Sequence, residues 1–147
     1  MTAVNPYLNF DGNCEEAFNF YKSVFGGEFL AKMRFKDVPS EQMGEINQMP
    51  ESESEKIMHV ALPIGQGTVL MGSDRPAAMG PTMNGNNYSI SINAESEAEA
   101  NKLFKGLSAG GQVTMPLEKA FWGAYFGMFT DKFGIQWMVN YDYNQQK

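Results

Sequence analysis

His59 is the single histidine of the chain, and so the one side chain whose ordinary titration falls near neutrality. It stands in the apolar run Ile57–Ile64, a strand-length segment. If Met58, Val60, Leu62 and Ile64 face a core, His59 shares the opposite face with Ile57 and Ala61. From there it can bind an anionic or hydrogen-bonding ligand, or act as a base. The structural alternative is a half-buried ring bonded to a backbone carbonyl. A second concentration of chemistry is Phe121–Thr130, whose alternation puts Phe121, Gly123, Tyr125, Gly127 and Phe129 on one face. Trp122, Ala124, Phe126 and Met128 fall on the other. Glycine within a strand marks a close approach, so Gly123 and Gly127 beside Tyr125 predict a recess with an aromatic wall and a phenol donor. Ordinary sheet packing around bulges is the competing reading.

The remaining reactive types fit structural roles. Asp74 follows one strand-like run and Asp131 lies in a turn, positions that suit turn shaping. Ser73, Ser89 and Ser91 have no nucleophile-elbow setting and would compete for one imidazole. Cys14 sits on an apolar helical stripe and reads as core; as the only cysteine it excludes an internal disulfide and a multi-cysteine metal site. Glu15 and Glu16 favour the dipole of a helix that starts beside them.

The elements that position these groups repeat. Asn13 with Glu16, and Ser96 with Glu99, are helix-cap pairs. Cys14, Ala17, Phe18 and Tyr21 follow the first, and Ala100, Leu103, Phe104 and Leu107 the second; each set is one helical face. Glycine pairs, Gly26-Gly27 and Gly110-Gly111, suit both helix ends. Strand-like alternation precedes each helix, at 6–10 and 88–92, and resumes after it with Phe29, Ala31, Met33 and Phe35, or with Val113, Met115 and Leu117. Two further strands close each half. Ile57–Ile64 and Thr68–Ser73 flank Gly65-Gln66-Gly67; Phe121–Thr130 and Ile135–Tyr141 flank a turn at 131–134. Each half therefore reads strand, helix, strand, strand, strand. A four-stranded sheet with one helix covers one face only, so the other must pack or curl around something.

The length of 147 residues suits one domain, with a first module at about 4–74, a crossover at 75–87 and a second module at about 88–141. The content of 43% hydrophobic and 13% aromatic residues excludes intrinsic disorder. The net charge of −6 is concentrated at 36–56, where six acids face two lysines. This acidic loop could fold over the sheet as a lid or move freely. No basic stripe suits a nucleic acid. No apolar run reaches membrane-spanning length. The start, 1–6, has no signal pattern, which gives the expectation of a cytoplasmic protein.

On this frame the sequence resembles the vicinal-oxygen-chelate superfamily of glyoxalase I, bleomycin-resistance proteins and extradiol dioxygenases. It is most similar to the PhnB-like proteins, also labelled a 3-demethylubiquinone-9 3-methyltransferase domain. The resemblance rests on Pro6-Tyr7-Leu8-Asn9-Phe10 with Gly12-Asn13-Cys14, on Phe20-Tyr21 and Phe25-Gly26, and on His59-Val60-Ala61-Leu62. It continues through Leu70-Met71-Gly72-Ser73-Asp74, Phe121-Trp122-Gly123-Ala124, Thr130-Asp131-Lys132-Phe133-Gly134 and Gln136-Trp137-Met138. The resemblance implies paired modules, cupped ligand clefts and frequent dimers.

Metal-dependent relatives hold a divalent ion through His, Glu or Gln from the first and last strands of each module. The matching first strands here hold Asn5, Pro6 and Tyr7, and Asn87, Tyr88 and Ser89; the last strands hold Met71 and Met138. Thioethers suit only soft ions such as Cu(I), so no metal and no cofactor are expected. Methyl transfer needs a nucleotide cradle, and Gly65-Gln66-Gly67 lies between strands and starts no helix.

The sequence thus predicts an α+β fold of two βαβββ modules forming a curved, mostly antiparallel sheet around a cleft. It predicts a small-molecule binding homodimer, the ligand flat and largely apolar with polar anchors. Expected ligand contacts are Asn9, His59, Met71 and Tyr88, with Phe121, Trp122, Tyr125 and Met138. The enzymatic alternatives use His59 as the base, or a metal held by an unusual ligand set. A module whose cleft is filled by its own Met and aromatic side chains is the non-binding alternative.

Overall fold

Strand alternation and helix caps divide the chain into β1 (Tyr7–Phe10), α1 (Cys14–Phe25), β2 (Ala31–Arg34), β3 (Ile57–Gly65) and β4 (Thr68–Asp74). The same order returns in β5 (Ile90–Asn93), α2 (Glu97–Ser108), β6 (Gln112–Lys119), β7 (Ala124–Thr130) and β8 (Gln136–Asp142). The computed structural model describes residues 2–37 and 51–144. Most of the acidic loop, and with it the lid considered above, lies at 38–50, outside the described residues. Among the described residues no helix is long and apolar enough to cross a membrane.

The expected α+β repeat is present. The sheets run β1-β4-β3-β2 and β5-β8-β7-β6. In each, the first strand pairs parallel with the last, and the other pairs are antiparallel. Two compact units result, Met1–Met83 and Asn84–Lys147. In the first, Phe18 and Tyr21 of α1 are buried with Leu8, Phe10, Val60, Leu62 and Leu70 of the sheet. Gly72 is the point of closest approach, because a Cβ there would lie 2.7 Å from the Phe18 ring. In the second, Leu103 and Leu107 of α2 are buried with Phe129, Trp137 and Val139. Phe104 meets Phe129 edge-on at 5.0 Å between centroids.

The two helices start differently. Ser96 caps α2 as expected, its hydroxyl accepting the Glu99 amide at 3.0 Å. The Glu99 carboxylate accepts the Glu95 amide at 2.8 Å. Asn13, by contrast, makes no side-chain cap bond on α1. Asp74, the register partner of Phe10 at the end of β4, does that work. Its Oδ1 accepts the amides of Gly12 and Cys14 at 2.8 and 3.0 Å, and its Oδ2 accepts that of Ile57 at 2.9 Å. Only 2% exposed, Asp74 ties three elements together rather than shaping a single turn. Asp131 does shape its turn, accepting the amides of Phe133 and Ile135. It also accepts the indole N–H of the buried Trp137 at 2.9 Å.

Two strand expectations are corrected. β7 begins at Ala124 rather than Phe121. Residues 120–123 form a turn in which the Gly123 amide donates to the Ala120 carbonyl at 3.1 Å, with φ of 90° at Gly123. β6 breaks the alternation of Val113, Met115 and Leu117, because its register against β7 shifts on both sides of Met115. Val113 pairs with Phe129 on the α2 side, whereas Met115 pairs with Met128 on the opposite face. Pro116, which has no amide to donate, sits within the second irregularity.

Candidate functional site

Each sheet has one face packed on its helix and one that no helix of its own unit covers, called here the open face. In the first unit, β1 against β4 places Tyr7 beside Met71 and Asn9 beside Ser73. The alternate residues Leu8, Phe10 and Gly72 go to the helix side. β3 adds His59 to the open face, with Met33 of β2 as its register partner. The Tyr7 hydroxyl lies 3.4 Å from Nδ1 of His59. The two rings stack with centroids 5.9 Å apart and planes 28° from parallel. Tyr7 is 45% exposed and His59 half-buried, so the pair is open to whatever settles on this face. Asn9, Ser73 and Met71 complete a surface of hydrogen-bonding groups around one thioether.

The open face of the second unit is ordered in rows across the strands. One row is Ser91, Met138, Met128 and Met115, from β5, β8, β7 and β6 in turn. On one side of it runs Asn93, Asn140, Phe126 and Glu118; on the other, Gln136, Thr130 and Gln112. Trp122 packs on Phe126 at 5.8 Å and Phe121 on Trp122 at 5.1 Å. Tyr88 accepts the Gln136 amide at its hydroxyl, at 3.2 Å.

The expected contact residues therefore divide. Asn9, His59 and Met71 share one open face, and Met138 lies on the other. Trp122 lies against Phe126 of that second face, and Tyr88 against the start of β8. Phe121, 98% exposed, projects from the turn before β7. Tyr125 lies on the helix side, where its hydroxyl donates to Oδ1 of Asn101 in α2 at 2.7 Å. The expected recess beside Tyr125 is filled. A Cβ at Gly127 would lie 2.6 Å from Phe104 and 2.9 Å from the Leu117 backbone. These glycines admit the chain's own side chains. The residue that sequence reasoning passed over is Tyr7; its signal was its alternation with Asn9, but only pairing with β4 sets it beside His59.

The open-face groups of the first and last strands are phenol, amide, hydroxyl and thioether, with the Asp142 carboxylate after Asn140 at the end of β8. That set, with a single carboxylate and no imidazole, lacks both the several carboxylates that hold Mg, Ca or Mn and the imidazoles that suit Zn, Ni or Fe. Among the described residues no three His, Cys, Asp or Glu side chains gather as a metal site. Gly65-Gln66-Gly67 closes the β3–β4 hairpin, with Gly65 paired to Thr68. Cys14 is fully buried. Burial, chiefly, with the carboxylates of Asp74 and Glu15, pushes its thiol well above the ordinary range.

A family model described as the Glyoxalase/Bleomycin resistance protein/Dioxygenase superfamily matches residues 3–139. The chain is similar to protein PA1353 from Pseudomonas aeruginosa, with a TM-score of 0.81 and 43% identity, over 97% of this chain and 98% of that one. It is 28% identical to protein YjdN of Escherichia coli over 93% of each. The PhnB protein from Bacillus cereus shares the fold, with a TM-score of 0.73 and 24% identity over 95% of this chain and 99% of that one.

Proposed function

The chain belongs to the Glyoxalase/Bleomycin resistance protein/Dioxygenase superfamily, and on that premise we propose that it is a metal-independent small-molecule binding protein. Its ligand is flat and largely apolar, with one or two polar anchors. The observation that carries this reading is the stacked Tyr7–His59 pair, 5.9 Å between rings, on a face that no helix of its unit covers. Binding surfaces of this kind combine apolar area with a few placed polar groups that set orientation. Met71 supplies a polarisable apolar contact; His59, Tyr7 and Asn9 supply the anchors. In the second unit Met138, with Tyr88, Phe121 and Trp122 near its sheet, is the matching apolar surface. Family habit extends the proposal to a homodimer, and the signal pattern missing from 1–6 extends it to the cytoplasm; sedimentation and cell fractionation would test the two.

The test is a thermal-shift screen against aromatic and quinone-like compounds, since a ligand bound only by the folded state raises its stability. The expected result is a concentration-dependent rise that His59→Gln diminishes without lowering the stability of the free protein. No shift with any compound, or an identical shift in His59→Gln, overturns the proposal. A second reading makes His59 a base in a lyase, isomerase or oxygenase reaction. The Tyr7 hydroxyl, 3.4 Å from Nδ1, favours it as a polar neighbour on that side of the ring. It requires turnover that His59→Gln abolishes, in assays with and without divalent ions.

A further inference from the structure

We propose that the methionine row of the second unit, Met115–Met128–Met138, binds a soft monovalent cation, Cu(I) or Ag(I), through its three thioethers. The row is created by register: β6, β7 and β8 each place a methionine on one line across the sheet. The outermost is brought onto the open face by the bulge that separates Met115 from Val113. Directly opposed residues have Cβ atoms about 5 Å apart, and methionine has three rotatable bonds beyond its backbone. Neighbouring sulfurs can therefore turn toward one ion with no backbone movement. Ser91 ends the row with a hydroxyl.

Packing alone does not account for the row. Met115 is 45% exposed, and Met128 and Met138 are half-buried rather than enclosed. The flanking rows are mostly amide, hydroxyl and carboxylate, with Phe126, which carries Trp122, as their one apolar member, so the thioethers line up between polar groups over most of the row's length. Thioether is the side-chain donor that selects Cu(I)-like ions over Mg, Mn and Ca. It carries no titratable proton, so an ion held by thioethers is not released by mild acid, whereas one held by thiolate or imidazole is.

The experiment uses Ag(I), which is not air-oxidised, in chloride-free buffer with the full chain carrying Cys14→Ala to remove the only thiol. Native mass spectrometry and calorimetry should find one Ag(I) per chain, with affinity constant within about twofold between pH 5 and 8. Met128→Leu, which removes the central donor, should weaken binding about tenfold or more. Met115→Leu, on the exposed strand, should also weaken it and serves if Met128→Leu does not fold. Met79→Leu, at an exposed methionine outside the row, should change nothing. Trp122, resting on Phe126, should report binding by fluorescence quenching. No retained Ag(I), retention that both row variants leave intact, or affinity that falls steeply toward pH 5 overturns the proposal. None of these results touches the Tyr7–His59 reading, which stands on the first unit.

Discussion

Tyr7 and His59, 52 residues apart in sequence, stand as a stacked pair with the phenol hydroxyl 3.4 Å from the imidazole Nδ1. Two pairings produce this: β1 parallel to β4, and β4 antiparallel to β3. Because the contact is solvent-exposed, Tyr7→Phe should leave unfolding free energy within about 0.5 kcal/mol of the parent. It should nevertheless reduce the thermal shift given by a bound aromatic compound, by less than His59→Gln does. Urea unfolding and the compound screen check the two halves separately.

Asp74 predicts a larger effect. Asp74→Ala leaves the buried amides of Cys14 and Ile57, and the part-buried amide of Gly12, without their acceptor, a loss of about 3 kcal/mol or more. Asp74→Asn keeps one acceptor oxygen and should lose less. Urea denaturation of both variants would measure the difference.

Gly127 tests the close approach of α2. A methyl group there has no room between Phe104 and the Leu117 backbone, and such overpacking costs about 1–3 kcal/mol. Gly127→Ala should lower the melting temperature accordingly. Gly65→Ala, where nothing lies within 4 Å of the added carbon and φ is not positive, should not.

Glu15 makes part of the stability depend on acid. Hydrogen bonds from Arg34 and Lys32, at 2.7 and 2.6 Å, lower its carboxyl from 4.5 to about 2. A lowered carboxyl stabilises the fold in full above its unfolded value, and the contribution is lost as pH falls through the folded one. The stability difference between the parent and Glu15→Gln should therefore be constant above about pH 5 and shrink toward pH 2. Its size is modest because water and salt screen this partly exposed cluster. Urea midpoints across pH, repeated at high salt, would show both dependences.

Cys14 should be silent in the native state. Its sulfur is buried and its thiol is held well above the ordinary range, first by burial and then by the nearby carboxylates of Asp74 and Glu15. A thiol-reactive dye at pH 8 should label the chain only after denaturant is added. Rapid labelling of folded protein would contradict this placement.

Local patterning carried the repeated βαβββ order, both helices and the glycine ends, because caps and apolar periods act over a few residues. It also carried His59 to the face away from the helix, since strand alternation needs no knowledge of partners. Tertiary structure decided the rest. Tyr125 turned to α2 on the same face where Gly127 gives Phe104 room, and no local signal separates a glycine that admits a ligand from one that admits a neighbouring ring. Met115 crossed to the open face through a register shift, which one strand's sequence does not encode. Asp74 became the cap of a helix 60 residues earlier, an arrangement visible only once β4 lies beside β1. Sequence alone determined which elements form and their order; the pairing of distant strands decided which side chains meet, because side-chain contacts follow from register between segments that have no local knowledge of each other.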